Sequence, residues 1–342
     1  MKILGQNPIG AHRKQVQESV YFKEGAFKNL VETVMLSKEA TPFNMIRELL
    51  NPPPNRIPAT KIPSIKSKLS NHGNAAPVLT WFGHSSYHIS IENKSILVDP
   101  VFCGHASPFP FMIKSFPGTD IYNASDFQTI DLLILTHDHY DHLDYKTLLQ
   151  LKGKVKRICC SLGVGAHLVY WGFDKKIITE LDWWESSQFE NMKVTAVPAR
   201  HFSGRKIKRA QTLWSAFVLE VKGYQLFLGG DSGYGEHFAE IGKHFSGFDI
   251  AILECGQYNV KWPFIHMMPE ETAQASLDLH SKVLMPVHWG KFALAYHAWE
   301  EPVERVWKAA IEKNVKITIP MIGESVQLDK PGDVKPWWKQ VK

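Results

Sequence analysis

The sequence predicts an α/β fold that contains two sheets. Two apolar hairpins, over residues 78–99 and 215–231, each end an apolar strand in an aspartate, which indicates two sheets of related construction. From residue 131 onward, apolar strands alternate with helical segments. The chain has 342 residues, of which 44% are hydrophobic, so it can form a substantial core as one large or two ordinary domains.

Residues 1–75 differ in composition from the rest of the chain. They contain no clear strand and eleven Lys or Arg against five Glu, an excess of six positive charges when the whole chain has five. Short helices are predicted over 25–36 and over 42–50, the second with Thr41 as its N-cap. We interpret this segment as a basic N-terminal arm that either wraps the surface or is attracted to an anionic surface such as phospholipid headgroups. Nucleic acid is not expected as a partner, because the basic residues are scattered and lack a stacking platform.

Cysteine usage and hydropathy exclude several classes of protein. Four cysteines without a Cys-x-x-Cys pair indicate neither a disulfide framework nor a thiolate zinc site. The sequence begins without an apolar signal core, and no apolar run reaches 18 residues. We therefore expect a cytoplasmic protein, with peripheral contact at the inner face of the membrane if the arm binds lipid.

Residues 107–117 form a proline-containing stretch that is rich in apolar side chains. Prolines at 108, 110 and 117 exclude a central strand or a helix interior. The apolar side chains, among them Phe109 and Phe111, either pack on the core or present an apolar surface, and the sequence leaves both open. In the second case we expect Phe109 and Phe111 to contact a lipid substrate.

A histidine-rich turn follows the apolar strand predicted over 131–136. Residues 137–143 read His-Asp-His-Tyr-Asp-His-Leu, and a helix is predicted after them. Four potential metal ligands lie on this turn: His137, His139, Asp141 and His142. The two ligands at 137 and 139 can point the same way from extended backbone, whereas the turn displaces the other two toward a neighbouring point. This arrangement suits two adjacent metals, and the ligand types suit zinc, with iron or manganese as alternatives.

The pattern Thr-His-x-His-x-Asp-His after an apolar strand resembles the metallo-β-lactamase superfamily. The resemblance implies an αβ/βα sandwich of two mixed sheets, with helices on the outer faces and the metals at one edge. It also implies further ligands. His201 stands where the superfamily has its third histidine, and Asp231 where it has a metal-bridging aspartate. His288, which follows an apolar strand over 283–287, is the last ligand candidate.

Shorter motifs narrow the resemblance to the N-acylphosphatidylethanolamine-hydrolysing phospholipase D branch. They include Asp-Trp-Trp at 182–184, Gly-Asp-Ser-Gly-Tyr at 230–234 and His-Trp-Gly-Lys-Phe at 288–292. The branch implies two zinc ions, one held by His137, His139 and His201 and the other by Asp141, His142 and His288. It implies that Asp231 bridges the two ions and takes part in catalysis. His266 would contact the substrate and donate to a developing oxyanion or to the leaving oxygen.

Further residues are candidates for supporting the ligands or binding the substrate. His84, Asp99 and Asp138 could hold the imidazoles or metal-bound waters in place, although Asp99 could equally be a structural turn residue. Five basic residues lie between 200 and 209, beside a metal ligand. Their position predicts recognition of an anionic group, most simply phosphate, by Arg200, Arg205 and Arg209, with a solvated charged loop as the other interpretation.

Together these residues predict a zinc-dependent phosphodiesterase of phospholipase D type. It would hydrolyse N-acylphosphatidylethanolamine or a related phospholipid by means of a metal-bridging hydroxide. A lactonase or other metal-dependent ester hydrolase is the alternative, because attack on a carbonyl uses the same groups. A nuclease is less favoured, since the segment between Asp231 and His288 has no room for an inserted nuclease domain. A scaffold without metals is least favoured, because all seven ligand positions are intact. We assign 1–75 to the arm, 76–332 to the hydrolase domain and 333–342 to a C-terminal tail.

Overall fold

The computed structural model describes residues 1–69, 73 and 75–341, and within them it has two large sheets and a small hairpin. In chain order the strands are β1 (Phe22–Lys23), β2 (Ala26–Phe27), β3 (Val78–Trp81), β4 (Tyr87–Ile91), β5 (Lys94–Val98), β6 (Ile130–Leu135), β7 (Val155–Ser161), β8 (Ile178–Leu181), β9 (Ser186–Phe189), β10 (Met192–Val197), β11 (Ala216–Val221), β12 (Tyr224–Leu228), β13 (Ile250–Glu254), β14 (Leu284–Val287) and β15 (Ser325–Gln327). The helices are α1 (Gly10–Glu18), α2 (Pro42–Leu50), α3 (Tyr145–Leu151), α4 (Gly165–Tyr170), α5 (His237–Phe245), α6 (Pro269–Asp278) and α7 (Glu301–Glu312).

The two large sheets have related topologies. The first has the order β15-β3-β4-β5-β6-β7-β8, in which the strands from β15 to β5 are antiparallel and those from β5 to β8 are parallel. The second has the order β14-β13-β12-β11-β10-β9, antiparallel from β9 to β12 and parallel from β12 to β14. In both sheets a hairpin that ends in an aspartate leads into parallel strands. The predicted α/β fold of two mixed sheets is confirmed.

Strand β6 shows how the layers are held together. All six of its residues are buried, and their side chains alternate between two cores. Leu132 and Ile134 face the second sheet, whereas Leu133 and Leu135 pack with residues of α3 and α4 on the other side. Burying each such side chain stabilises the fold by about 1.5–3 kcal/mol. Because β6 is buried on both faces, the histidine-rich turn over residues 137–143 begins from a rigidly held strand.

Helices cover the outer side of the second sheet as well. Helix α6 packs on β13 and β14, and α7 packs against α6. The order of layers is therefore helix, sheet, sheet, helix. None of the helices in the described residues is long and apolar enough to span a membrane.

The N-terminal arm docks on the body and only partly matches its predicted structure. Helix α2 forms where it was predicted, and the Thr41 side chain accepts a hydrogen bond from the Asn44 N–H at 3.2 Å. The helix predicted over 25–36 is wrong. Gly25 has a φ of 79° in the turn between β1 and β2, and the Phe27 N–H donates to the Ala210 carbonyl at 2.9 Å. Contacts to the body thus replace the i to i−4 bonds that a helix would need.

The C-terminal residues are part of the core beside the ligand strand β14. Trp337 and Trp338 are buried, and the Trp337 ring stacks on Trp289 with a centroid distance of 5.4 Å. Trp289 directly follows His288. The segment treated above as a tail therefore packs behind a predicted metal ligand.

Candidate metal centre

The predicted ligands meet at one edge of the sandwich. Strands β5 and β6 of the first sheet and β10, β12 and β14 of the second all end at this edge. Polar side chains just beyond their carboxyl ends therefore converge, as they do at the strand ends of other α/β folds. The residues brought together are His137, His139, Asp141, His142, His201, Asp231 and His288.

His137, His139 and His201 form the first ligand group. His139 Nδ1 lies 2.9 Å from His137 Nε2 and 3.2 Å from His201 Nε2. Asp231 Oδ2 lies 3.7 Å from His137 Nε2 and 3.6 Å from His201 Nε2. One ligand atom from each of these four residues falls within 4.8 Å of all the others. Four donors so placed can surround a single cation.

Asp141, His142 and His288 form the second ligand group. His142 Nε2 lies 3.6 Å from Asp141 Oδ2 and 3.1 Å from Asp231 Oδ1. His288 Nδ1 also lies 3.1 Å from Asp231 Oδ1. Asp231 thus turns one carboxylate oxygen to each group, which is the position of a bridging ligand.

The chemistry of these side chains fits divalent cations. His142 Nε2, His288 Nε2 and Asp231 Oδ1 are buried without a hydrogen-bond partner, and burying such atoms unpaired is costly. Burial lowers the pKa of His137, His201 and His288 well below the ordinary range, and it lowers the pKa of His139 to about 4. These four imidazoles are therefore neutral, which is the form that binds metal. At His142 burial acts in the same direction, but the charges of Asp231 and Asp141 outweigh it and raise the pKa well above the ordinary range. Mixed imidazole and carboxylate donors suit zinc, and also iron or manganese.

Comparison with known proteins agrees with this geometry. Residues 94–289 match the Beta-lactamase superfamily domain, and this range contains all seven predicted ligands. The chain belongs to the metallo-β-lactamase superfamily. The superfamily implied by the sequence motif is thus confirmed by an independent family match.

Relatives narrow the placement within the superfamily. The chain is 37% identical over 328 residues to an uncharacterized protein of Mycobacterium tuberculosis, covering 94% of this chain and 88% of that protein. It is 32% identical over 251 residues to the mitochondrial N-acyl-phosphatidylethanolamine-hydrolyzing phospholipase D of Saccharomyces cerevisiae, covering 69% of this chain and 52% of the yeast protein. Within the superfamily the chain is thus similar to this phospholipase D, of which it spans about half the length.

A solved structure shows the same fold. The metallo hydrolase Igni18 of the archaeon Ignicoccus hospitalis superposes with a TM-score of 0.57 at 20% identity, covering 76% of this chain and all of that one. Together with the family match, this makes the chain a metal-dependent hydrolase of the metallo-β-lactamase superfamily.

The three side chains predicted to support the ligands differ in what they contact: two lie against a ligand and one does not. Asp99 accepts from the Thr136 N–H at 2.9 Å, lies 2.7 Å from His142 Nδ1 and has a φ of 40°. It is therefore both a turn residue and a support for a ligand. His84 Nε2 lies 2.8 Å from Asp141 Oδ2. Asp138 points elsewhere, to His167 Nε2 at 3.0 Å.

Two supporting side chains were missed. Ser85 Oγ lies 2.8 Å from His288 Nδ1, the same ring nitrogen that lies 3.1 Å from Asp231 Oδ1, and so fixes the orientation of this imidazole. Glu254, fully buried, lies with Oε2 2.6 Å from His266 Nδ1 and accepts the Ser232 N–H at 2.6 Å through Oε1. The signal for Glu254 was present in the sequence, because a carboxylate that ends an apolar strand repeats the pattern of Asp99 and Asp231.

A cavity of about 400 Å³ opens over the ligands, and His266 is part of its wall. Burial raises the pKa of Glu254 well above its ordinary range and lowers that of His266. Both directions favour a neutral pair, in which a protonated Glu254 donates to His266 Nδ1 and His266 carries its N–H at Nε2. The rest of the wall is largely apolar and includes Met112, Phe202 and Trp262.

The three predicted phosphate-binding arginines occupy different environments. Arg205 is only 4% exposed, and its guanidinium donates to the carbonyl oxygens of Asp138, Leu143 and Ile3, each at 2.8 Å. This corrects the prediction that Arg205 binds the substrate, because the guanidinium is buried and both of its Nη atoms donate to main-chain carbonyl oxygens. Charge counts in a sequence do not distinguish a buried guanidinium from an exposed one.

Arg200 is also occupied, since it donates to Thr33 Oγ1 at 3.0 Å and to the Glu32 carbonyl at 3.2 Å, both in the arm. The structure places it as a link between arm and body. Arg209 is exposed and lies 5.2 Å above the ring of Phe202, which lines the cavity. Of the three arginines, Arg209 is the one positioned to meet a substrate at the cavity mouth.

The proline-containing loop divides into an exposed and a buried part. Phe109 is 42% exposed and Phe111 is 73% exposed, and their rings stack at 5.7 Å. Met112 and Ile113 line the cavity, whereas Phe116 is buried in the core. Both interpretations left open by the sequence therefore apply, each to a different part of the loop.

Proposed function

We propose that the protein is a zinc-dependent phosphodiesterase of phospholipase D type that hydrolyses N-acylphosphatidylethanolamine or a related phospholipid. The observation that carries the proposal is the arrangement of the two ligand groups around Asp231, with the Nε2 of His266 in the wall of the same cavity. The first group, His137, His139 and His201, would hold one ion. The second group, Asp141, His142 and His288, would hold the other.

When bound, two such cations act as Lewis acids toward a phosphoryl group and lower the pKa of water to near 7. The protein itself supplies the placement of the substrate and the hydrogen-bond donors. Asp231 spans the two groups, so it fixes their separation. The Nε2–H of His266 can donate to the leaving oxygen or to charge that develops on a phosphoryl oxygen. The apolar wall excludes bulk water and strengthens both interactions.

The surface around the cavity supports a lipid substrate with peripheral membrane contact. Helix α2 presents Phe43, Ile46 and Leu50 to solvent, with a spacing that places them on one face. Lys261 anchors this helix, since its Nζ donates to the Asn44 carbonyl at 3.1 Å, and it adjoins Trp262 of the cavity wall. With the exposed phenylalanines of the proline-containing loop, the apolar face of α2 gives the cavity mouth two surfaces that can enter an acyl boundary.

A lactonase or other ester hydrolase remains the second candidate, and one observation favours it. No Lys or Arg is among the cavity-lining residues in the described part of the chain. A phosphodiester would thus depend on the cations and His266 for charge neutralisation, whereas a neutral ester would not require it.

Hydrolysis rates over a panel of substrates test the proposal. The panel comprises N-acylphosphatidylethanolamine in mixed vesicles, a simple aryl phosphodiester and a lactone, each with the Zn²⁺-loaded protein and with His137→Ala as a blank. We expect the highest kcat/KM on the phospholipid, with release of phosphatidic acid. A higher kcat/KM on the lactone, with no release of phosphatidic acid, would overturn the proposal in favour of the ester hydrolase.

The variant Arg209→Ala, measured on the same substrates, tests whether this guanidinium contacts the phosphate. If the guanidinium meets phosphate at the mouth, its removal raises KM for the phospholipid about 3–10-fold and leaves KM for the lactone unchanged, as expected for a lost contact to an anionic substrate. Lys208→Ala, a neighbouring exposed cation, is the matched control.

A further inference from the structure

We propose that the N-terminal arm is a structural part of the metal centre, in which Asn29 positions the ligand His201 and residues near Gly5 position the turn that carries His137 and His139. Through Asn29 the arm would support the first ligand group alone, whereas the turn reached by the residues near Gly5 also carries Asp141 and His142 of the second group. This inference rests on the two-metal centre of the proposed function. It does not depend on which substrate that centre hydrolyses.

Asn29 binds the main chain of His201 with both ends of its side-chain amide. Asn29 Nδ2 donates to the His201 carbonyl at 2.9 Å, and the His201 N–H donates to Asn29 Oδ1 at 3.1 Å. The same Oδ1 accepts the indole N–H of Trp214 at 3.1 Å, so the amide is itself held in one orientation. The His201 ring is fixed separately, since Nδ1 lies 2.7 Å from the Ile265 carbonyl oxygen and leaves Nε2 for the ligand group. The arm thus sets the position of the His201 backbone, and the body sets its ring.

A second arm segment reaches the turn that carries the other two ligands of this group. The Gln6 N–H donates to His167 Nδ1 at 3.0 Å, and His167 Nε2 lies 3.0 Å from Asp138 Oδ2. Asp138 stands between His137 and His139 in the chain. Arg205 adds a parallel link, because it donates to both the Ile3 and the Asp138 carbonyl oxygens. These bonds give Asp138 a role in placing the turn, although its carboxylate faces away from the ligands.

Gly5 allows this close approach. It has a φ of 65°, and a Cβ added to it would lie 2.1 Å from His167 Nδ1. Any side chain at this position would push the arm away from His167. Gly10 offers a matched comparison, because its φ is 56° and nothing lies within 4 Å of an added Cβ.

The second ligand group is supported from within the body. Asp99 holds His142, His84 lies against Asp141, and Ser85 lies against His288. All three supporting residues belong to the segment from β3 to the end of β5 or adjoin it. Loss of the Asn29 contact should therefore weaken one metal position and spare the other.

Zn²⁺ titration of the full chain against a chromophoric chelator tests the inference. We expect the wild type to bind two equivalents. In Asn29→Ala one equivalent should bind about 10–100-fold more weakly, as is typical when a residue behind a metal ligand is lost, and the other should be unchanged. Asn51→Ala, an arm asparagine that donates to Arg47 within the arm, should leave both unchanged. Melting in excess chelator reports the stability of the fold separately from metal binding.

Three outcomes would overturn the proposal: two equivalents as tight in Asn29→Ala as in the wild type, equal weakening of both, or equal weakening in Asn51→Ala. If Asn29→Ala does not fold, Gly5→Ala and Gly10→Ala decide the question, because they share the backbone strain and differ in the clash with His167. Weaker Zn²⁺ binding in Gly5→Ala than in Gly10→Ala supports the proposal, and identical titrations of the two glycine variants overturn it. The titration uses no substrate, so a failure here leaves the proposed activity standing, and a failure of the substrate panel leaves the titration valid.

Discussion

The two ligand groups are similar in chemistry but are held by different parts of the molecule. In the second group, each ligand is held by a side chain that follows β3 or β5 of the first sheet. In the first group, the backbone of His201 is held by Asn29, which is 172 residues away in the chain. A basic, strand-poor segment can therefore contact a candidate metal ligand as directly as a core strand does.

Asp231→Ala should lower activity most, because Asp231 lies between the two ligand groups. It places one oxygen near each group, so its loss removes a ligand from both. We expect kcat/KM to fall by more than about 1000-fold, beyond the 10–100-fold typical of residues behind the ligands. Steady-state hydrolysis with metal analysis measures this, and Asp329→Ala at the surface is the control. Wild-type protein purified without chelator that contains less than one metal equivalent would contradict the two-metal centre itself.

Asp99→Asn should weaken the second ligand group most, because the carboxylate contacts His142 directly and reaches His137 only through Thr136. The Asp99 carboxylate serves two donors of Thr136 and one of His142, and an amide can accept at only one of its two atoms. At least one buried donor then loses its partner. We expect one Zn²⁺ equivalent to bind about 10–100-fold more weakly, in the mirror image of Asn29→Ala.

The double variant Asn29→Ala with Asp99→Asn sharpens this comparison. If the two halves are supported independently, both equivalents should weaken and the free-energy changes should add. Weakening of the same equivalent in each single variant would show that the halves are not separable.

Substitutions of Glu254 test whether His266 carries its proton at Nε2, the nitrogen that would donate to the substrate. A glutamine can accept the Ser232 N–H and donate to His266 Nδ1, so it reproduces a protonated glutamate. We therefore expect Glu254→Gln to keep kcat within about 3-fold, whereas Glu254→Ala should lower kcat about 10–100-fold through loss of His266 orientation. If Glu254→Gln is as impaired as Glu254→Ala, then Glu254 acts as a carboxylate and His266 Nε2 is an acceptor.

The smallest effects concern the two apolar surfaces at the cavity mouth, one on the arm and one on the body. Phe109→Ser with Phe111→Ser should weaken binding to vesicles, because each buried phenylalanine contributes about 1.5–3 kcal/mol. Thermal stability should change little, since neither ring belongs to the buried core: Phe109 is 42% exposed and Phe111 is 73% exposed. Phe43→Ser with Ile46→Ser makes the same test on the arm.

Phe116→Ser is the control for these vesicle measurements, because its ring is buried. It should lower the melting temperature. A drop in melting temperature for the double variant of Phe109 and Phe111, with unchanged vesicle binding, would show that this part of the loop is core.

The sequence predicted which side chains converge at the edge of the sandwich, because each follows an apolar strand and the pattern of such strands is local. It did not predict Asn29, because an isolated asparagine in a loop has no periodic signal and its partner is distant in the chain. It placed Arg205 at the substrate because a cluster of charges looks the same whether its members are buried or exposed. The helix expected over 25–36 fails for a related reason, since the backbone donors there bond to the body. The local sequence pattern thus identified the candidate metal ligands. The residues that support those ligands depend on tertiary contacts, which a local pattern does not reveal.

The bond between Asn29 and His201 also has a kinetic consequence. Closing a loop of 172 residues costs about 4–5 kcal/mol of chain entropy before any contact repays it. Sheet hairpins close much shorter loops, so they form earlier in folding. We therefore expect the arm to dock after the sandwich has formed, with the surroundings of Trp214 reporting the last step. On this order of events, the first ligand group acquires its final geometry at the end of folding, when the rest of the core is already in place.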